Sequence, residues 1–172
     1  MSCIETPALP QVHLAPGELL VTRDPQIVVT VLGSCVAVTM FDRESSLAAI
    51  CHAMLVEPQR GEWLLAGDPL RFRYVNIVVP AMVDVYRRAG IDPYGIEVKI
   101  FGGGNVIGRA RRGSDAEGIG DANISAVRAQ LARADLLVTA ESIGGRRGCK
   151  ILFNTATGDV LRKYLRSMTT RA

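Results

Sequence analysis

The chain has 172 residues, 48% of them apolar and 22% charged, which suits a globular chain with a real core and argues against disorder. No apolar run approaches the ~20 residues that span a bilayer, so membrane insertion is not expected. A net charge of +3 is too mild for a nucleic-acid footprint, so no nucleic-acid partner is expected; it suits docking on an acidic protein surface.

Residues 1–18, with Pro7, Pro10, Pro16 and Gly17, read as loop-like. They lack the basic start and long apolar stretch of a signal peptide, so the expected location is cytoplasmic. Leu19 to Thr22 reads as a short strand and Asp24-Pro25 as a turn. Ile27 to Leu32 is β-branched and apolar, as in a buried strand. Gly33-Ser34 breaks that run, and Cys35 to Phe41 resumes it. A polar turn over Asp42 to Ser46 then leads into Leu47 to Leu55, which makes a hairpin. Pro58 to Pro69 is a loop carrying Trp63, the only tryptophan.

Phe72 to Ala89 has helical spacing in Val75, Val78, Met82, Val85 and Ala89, and Gly90 is a natural stop. Pro80 either kinks this helix or marks its start. Glu97 to Phe101 is a strand that runs into Gly102-Gly103-Gly104-Asn105. Ile107 to Gly120 is rich in Gly and Arg without periodicity. Asp121 is placed to cap a helix that buries Ile124, Val127, Leu131 and Ala134. Leu136 to Ala140 is a strand, followed by a basic glycine loop around Arg146 and Arg147. Lys150 to Asn154 and Asp159 to Tyr164 form a hairpin. The chain reads as a single α+β domain, mixed β-sheets in a sandwich with two main helices packed outside.

The cysteines are Cys3, Cys35, Cys51 and Cys149. A reducing cytosol argues against disulfides. There is no CxxC, and a zinc set from Cys35, Cys51, His52 and Cys149 would need long-range convergence, so neither a metal nor another cofactor is expected. Cys35 reads blandly as a small buried apolar residue. Against that, the Gly-Ser break presents its sulfur at a bend, and a glycine there permits close approach of another backbone. Amide N–H groups freed at the bend, around Ser34 to Val36, are candidate oxyanion donors.

Only two histidines are present, His13 and His52. His52 sits in an apolar strand, where a core imidazole bonded to a carbonyl is the ordinary case. Strand alternation sends Cys51 and His52 to opposite faces, so if His52 shares a site with Cys35, Cys51 packs elsewhere. The hairpin brings Cys35 and His52 near each other at its open end. His13, in a proline-bounded loop, is the weaker base. Thr30 is an unremarkable strand residue, or else the hydroxyl that orients an imidazole. The GxGxxxG spacing of Gly102, Gly104 and Gly108 lacks the helix and Lys-Ser/Thr pair of a phosphate loop. Tight turns or a binding edge account for those glycines better. Arg109, Arg111, Arg112, Arg146 and Arg147 make two basic clusters suited to solvent or to a protein partner.

The segments LGSCVAV, CHAML, KIFGGGN and GCKILFNTATGDV, in that order, resemble the CheD family of chemoreceptor glutamine deamidases. The GSCV element with its histidine seventeen residues after Cys35 is the specific part of the resemblance. It covers Leu19 to Leu165, implying residues 19–165 as the deamidase domain and residues 166–172 as a tail. It implies a cysteine-hydrolase fold similar to the deamidating domain of cytotoxic necrotizing toxins. The implied site is Cys35, His52 and Thr30, acting through a thioester. The implied partners are methyl-accepting chemotaxis receptors and a CheC-type phosphatase, with Phe101, Gly102 and Gly103 at the partner surface. The chain departs from the family's usual pattern at Val56, where proline is common, and at Cys149, where a basic residue is usual. Two other activities fit the same residues: a regulatory binding module and a receptor methylesterase.

Overall fold

The computed structural model describes residues 8–59, 62, 67–105 and 118–165. Among the described residues nine strands fall into two mixed sheets. The first has the order β1 (Gln11–His13), β3 (Ile27–Leu32), β8 (Cys149–Asn154), β9 (Val160–Tyr164). The second has the order β2 (Leu19–Thr22), β5 (Leu47–Ala53), β4 (Val36–Asp42), β6 (Ile96–Gly102), β7 (Val138–Ile143). Two helices, α1 (Val75–Arg88) and α2 (Ile119–Arg133), cover the outer face of the five-stranded sheet. The α+β sandwich with two helices outside is as expected.

Strand alternation builds the layers. Val36, Val38 and Met40 of β4, with Ala49, Cys51 and Ala53 of β5, pack under the helices against Val78, Val79, Met82 and Val127. The intervening Ala37, Phe41, Ala48 and Ile50 face the other sheet and meet Val28, Ile151 and Phe153. Every residue of β4 and β5 is therefore buried, which is why both read as nearly continuous apolar runs. Lys99 stitches the layers, since its Nζ reaches Glu97 at 2.6 Å and the carbonyl of Gly158, between β8 and β9, at 2.9 Å.

Several local expectations needed tertiary context. The loop-like start contains a real strand, β1, whose three residues carry no periodicity and exist because β3 pairs with them in parallel. The helix begins at Val75, and Phe72 and Arg73 belong to a preceding 3-10 turn, Pro69–Arg73. Pro80 stays inside α1. The lost hydrogen bond and the clash of its ring with the preceding turn together cost about 3 kcal/mol in a helix interior. Burial of Val75, Val78, Val79, Met82, Val83 and Tyr86 outweighs this at roughly 1.5–3 kcal/mol per large apolar side chain. Gly90 ends the helix with φ of 69°, and the Ile91 N–H closes back on the Tyr86 carbonyl at 3.1 Å. Helix α2 starts at Gly118 without a side-chain cap, and Asp121 lies in its first turn instead. Trp63, residues 106–117 of the arginine-rich stretch and the tail at 166–172 lie outside the described residues.

The C-terminus of α2 uses the same closure as α1, with the Leu136 N–H on the Leu131 carbonyl at 3.0 Å, but the left-handed position is Asp135 at φ of 57°. Glycine adopts that region without the Cβ clash. Replacing Asp135 by glycine is expected to stabilise the fold by roughly 0.5–1 kcal/mol. Chemical denaturation checks this, and an unchanged or lower midpoint would contradict it.

Candidate active site

The break at Gly33-Ser34 is where the chain leaves one sheet for the other: β3 ends at Leu32 in the four-stranded sheet and β4 begins at Val36 in the five-stranded one. Cys35 stands in that crossing, half-buried at the margin of the inter-sheet core. Three consecutive carbonyls of the turn are each held by a donor. The Gly104 N–H donates to Gly33 O at 2.8 Å, the Gly103 N–H to Cys35 O at 2.8 Å, and the Asn123 Nδ2 to Ser34 O at 3.2 Å.

The glycine run at 102–104 follows from this docking. A Cβ on Gly102, whose φ is 96°, would lie 2.3 Å from the Cys35 carbonyl oxygen. One on Gly103 would meet the Ile124 side chain at 2.5 Å. Only glycine lets β6 end flush against the cysteine turn. Phe101, Gly102 and Gly103, expected at a partner surface, are buried within this chain in the structure. Ser34 lies in the turn. Val36 is fully buried in β4, across from Ala53 and Gly102.

His52 lies on β5 directly across from Ala37 of β4. It is 2% exposed. Its Nδ1 is 2.7 Å from Thr30 Oγ1, a contact that joins β5 of one sheet to β3 of the other. The Thr30 hydroxyl has a single proton and donates it to Leu14 O at 2.9 Å. It therefore accepts from His52, so Nδ1 carries the hydrogen and Nε2 bears the lone pair. That Nε2 is buried and has no hydrogen-bond partner among the described residues. The backbone of His52 is pinned as well: its N–H donates to Glu18 O at 3.0 Å, and its carbonyl accepts from the Gly17 N–H at 2.8 Å. Residues 14–18, ahead of the domain start expected at Leu19, thus hold the His52–Thr30 pair.

Burial sets the protonation states. It holds the imidazole of His52 down to about 4, with the Glu18 carboxylate pulling weakly the other way. It pushes the Cys35 thiol up, partly offset by the cysteine's own backbone N–H. At neutral pH both side chains are therefore uncharged. Cys51 points under the helices, fully buried, with its thiol pushed up to about 12. Cys149 lies in the inter-sheet core, so the four-ligand set that a zinc site would need is divided between two cores. Among the described residues no three His, Cys, Asp or Glu side chains gather for a metal ion. His13 is exposed on β1.

Sequence reasoning passed over Asn123. It is fully buried on α2, and besides Ser34 O its Nδ2 donates to Met54 O at 2.9 Å. It thereby bridges the cysteine turn and the end of the histidine strand. The available signal was a polar residue at four-residue spacing with Val127 and Leu131 on the helix's apolar stripe.

A family model described as CheD chemotactic sensory transduction matches residues 58–164. A probable chemoreceptor glutamine deamidase CheD 2 of Geobacter sulfurreducens is 42% identical over 159 residues, covering 92% of each chain. A probable chemoreceptor glutamine deamidase CheD of Oleidesulfovibrio alaskensis is 40% identical, over 91% of this chain and 74% of that one. Among solved structures, YlmD from Geobacillus stearothermophilus is similar with a TM-score of 0.48 at 16% identity, covering 74% of this chain and 50% of that one. The hypothetical protein YfiH of Bacillus licheniformis follows at a TM-score of 0.46 and 19% identity, over 72% of this chain and 49% of that one. On the family match and on relatives that align over nearly its whole length, the chain belongs to the CheD family.

Proposed function

We propose that the protein deamidates specific glutamines of chemoreceptors, converting them to glutamates with release of ammonia, as part of adaptation in chemotaxis. The observation that carries the reading is the Thr30–His52 contact, which leaves Nε2 unprotonated and unpartnered on a residue paired with Ala37, two positions beyond Cys35. The printed names of the relatives, chemoreceptor glutamine deamidases, supply the substrate class.

In this mechanism His52 Nε2 takes the Cys35 proton as the sulfur attacks the carboxamide carbon. The carbonyl π electrons move to oxygen, and backbone N–H groups of the Ser34–Val36 segment hold the resulting oxyanion. The imidazolium returns its proton to the amide nitrogen, so the C–N bond breaks with ammonia as the leaving group and a thioester remains. His52 then draws a proton from water as its oxygen attacks the thioester. Collapse releases glutamate and the Cys35 thiol. Each turnover adds one negative charge to the receptor helix. No step calls for a metal or an organic cofactor.

The work is done in the cytoplasm, where the receptor signalling helices lie. A CheC-type phosphatase is the second partner in this reading and competes with receptors for the protein. Measuring methanol against ammonia separates deamidation from methylester hydrolysis. A pull-down that is unaffected by Cys35→Ala, without ammonia release from the wild type, would favour a binding module instead.

Mass spectrometry of receptor peptides is expected to show the +1 Da change of Gln to Glu, about one proton-mass unit per site, with loss of at least ~10³-fold in rate for Cys35→Ala. Turnover that survives the substitution would exclude Cys35 as the nucleophile. Thr30→Val removes the acceptor for Nδ1–H and is expected to lower kcat by about 10²-fold, with Thr30→Ser keeping most of the rate. Equal kcat in the valine variant and the wild type would show that the hydroxyl does not orient the base.

The pH profile follows from burial. The base is lost only when Nε2 protonates, so kcat/KM is expected to fall on the acid side near pH 4, not near 6.5. On the alkaline side, alkylation of Cys35 is expected to keep accelerating through the ordinary thiol range because the thiol is raised. A rate plateau from neutral pH downward would reveal a preformed thiolate–imidazolium pair and contradict this account.

A further inference from the structure

The amide plane between Ser34 and Cys35 is set from beneath, by α2. Asn123 is fully buried, and its Nδ2 donates to Ser34 O at 3.2 Å and to Met54 O at 2.9 Å. The peptide bonds of the chain contain no cis linkage among the described residues, so the Cys35 N–H points opposite to the Ser34 carbonyl. With that carbonyl drawn toward α2, the Cys35 N–H is turned away from the helix. The neighbouring carbonyls of Gly33 and Cys35 are tied by Gly104 and Gly103, which leaves the segment no freedom to swing as a unit. Among the described residues the Cys35 N–H has no backbone acceptor outside the strand ladders.

Asn123 holds these bonds at a cost. Its Oδ1 is buried without a partner among the described residues, and a buried unsatisfied acceptor is destabilising. An apolar residue at this place on the helix stripe would pack without that penalty. What the apolar residue would forfeit is the donor that both Ser34 O and Met54 O need.

We propose that Asn123 is a positioning residue for deamidation: by holding the Ser34 carbonyl toward α2 it presents the Cys35 N–H to the oxyanion that forms when Cys35 attacks. This rests on the reading of Cys35 and His52 as nucleophile and base. Asn123 touches neither substrate nor sulfur and acts through the Ser34–Cys35 peptide. A loose peptide would leave the thiol and the imidazole in place while withdrawing the donor from the transition state.

Two reactions of the same sulfur separate this role from a general structural one. Deamidation passes through a tetrahedral oxyanion, whereas alkylation by iodoacetamide displaces iodide at a saturated carbon and creates none. Asn123→Ser shortens the side chain so that it no longer bridges both carbonyls. It is expected to lower kcat by about 10²-fold with KM unchanged, the scale of losing one oxyanion donor. Its Cys35 alkylation rate is expected to stay within ~3-fold of wild type, because access and thiolate character are untouched. Parallel loss of both rates, or an unchanged kcat, overturns the proposal.

A second measurement needs no Asn123 variant. A receptor peptide with glutamate semialdehyde at the reacting position adds the Cys35 sulfur across its aldehyde, the thiol proton passing to oxygen, and mass spectrometry verifies the adduct. In the ¹⁵N–¹H spectrum the Cys35 amide proton is expected to move downfield on adduct formation as it donates to the new oxygen. An unmoved Cys35 amide overturns the proposal even if Asn123→Ser fails to fold. Failure of the underlying reading looks different: the wild-type protein would release no Cys35-dependent ammonia, and the proposal would fall with it.

Discussion

The hydrogen bond between Thr30 and His52 crosses the gap between two sheets, and much of the structure is arranged so that it can form. Thr30 must enter from β3, His52 from β5, and Leu14 must supply the carbonyl that takes the threonine proton. That chain of donors gives the imidazole one tautomer. A buried histidine ordinarily ends both of its nitrogens on protein groups; here one nitrogen is satisfied and the other has no partner among the described residues. The unpaired, buried Nε2 costs stability, as any unsatisfied buried polar atom does.

The turn that carries Cys35 is the second constraint. A chain that passes from one sheet to another exposes backbone groups that no ladder pairs. Here Gly103, Gly104 and Asn123 donate to its carbonyls. The glycine run at 102–104 is therefore internal architecture. A side chain on Gly102 would collide with the Cys35 carbonyl, so the loop's composition is dictated by the cysteine turn it supports.

Layering supplies the electrostatics. The helices cover one face of β4 and β5 and the second sheet covers the other, so a histidine on β5 is desolvated wherever it points. Desolvation opposes charge on either partner, lowering the imidazole and raising the thiol. Both groups are therefore neutral at rest, and neither is held as half of an ion pair. A neutral resting thiol is also less open to oxidation than a thiolate.

The order of the main strands and helices, the hairpin of β4 and β5 and the opposed faces of Cys51 and His52 were legible in the sequence. Each rests on local periodicity, turn chemistry or the alternation of a strand, which neighbouring residues alone determine. Three things were not legible: that Gly33-Ser34 is a passage between sheets, that Gln11–His13 is a strand, and that Asn123 joins α2 to both sides of the site. Each depends on residues far apart in the chain meeting in space. Asn123 lies 89 positions from Ser34, and no pattern within a helix records which carbonyl its amide will meet. The residue types of the site were thus decided by the sequence, while the protonation of His52, the reason for the glycines and the hold on the cysteine turn were decided by the packing of two sheets and a helix around them.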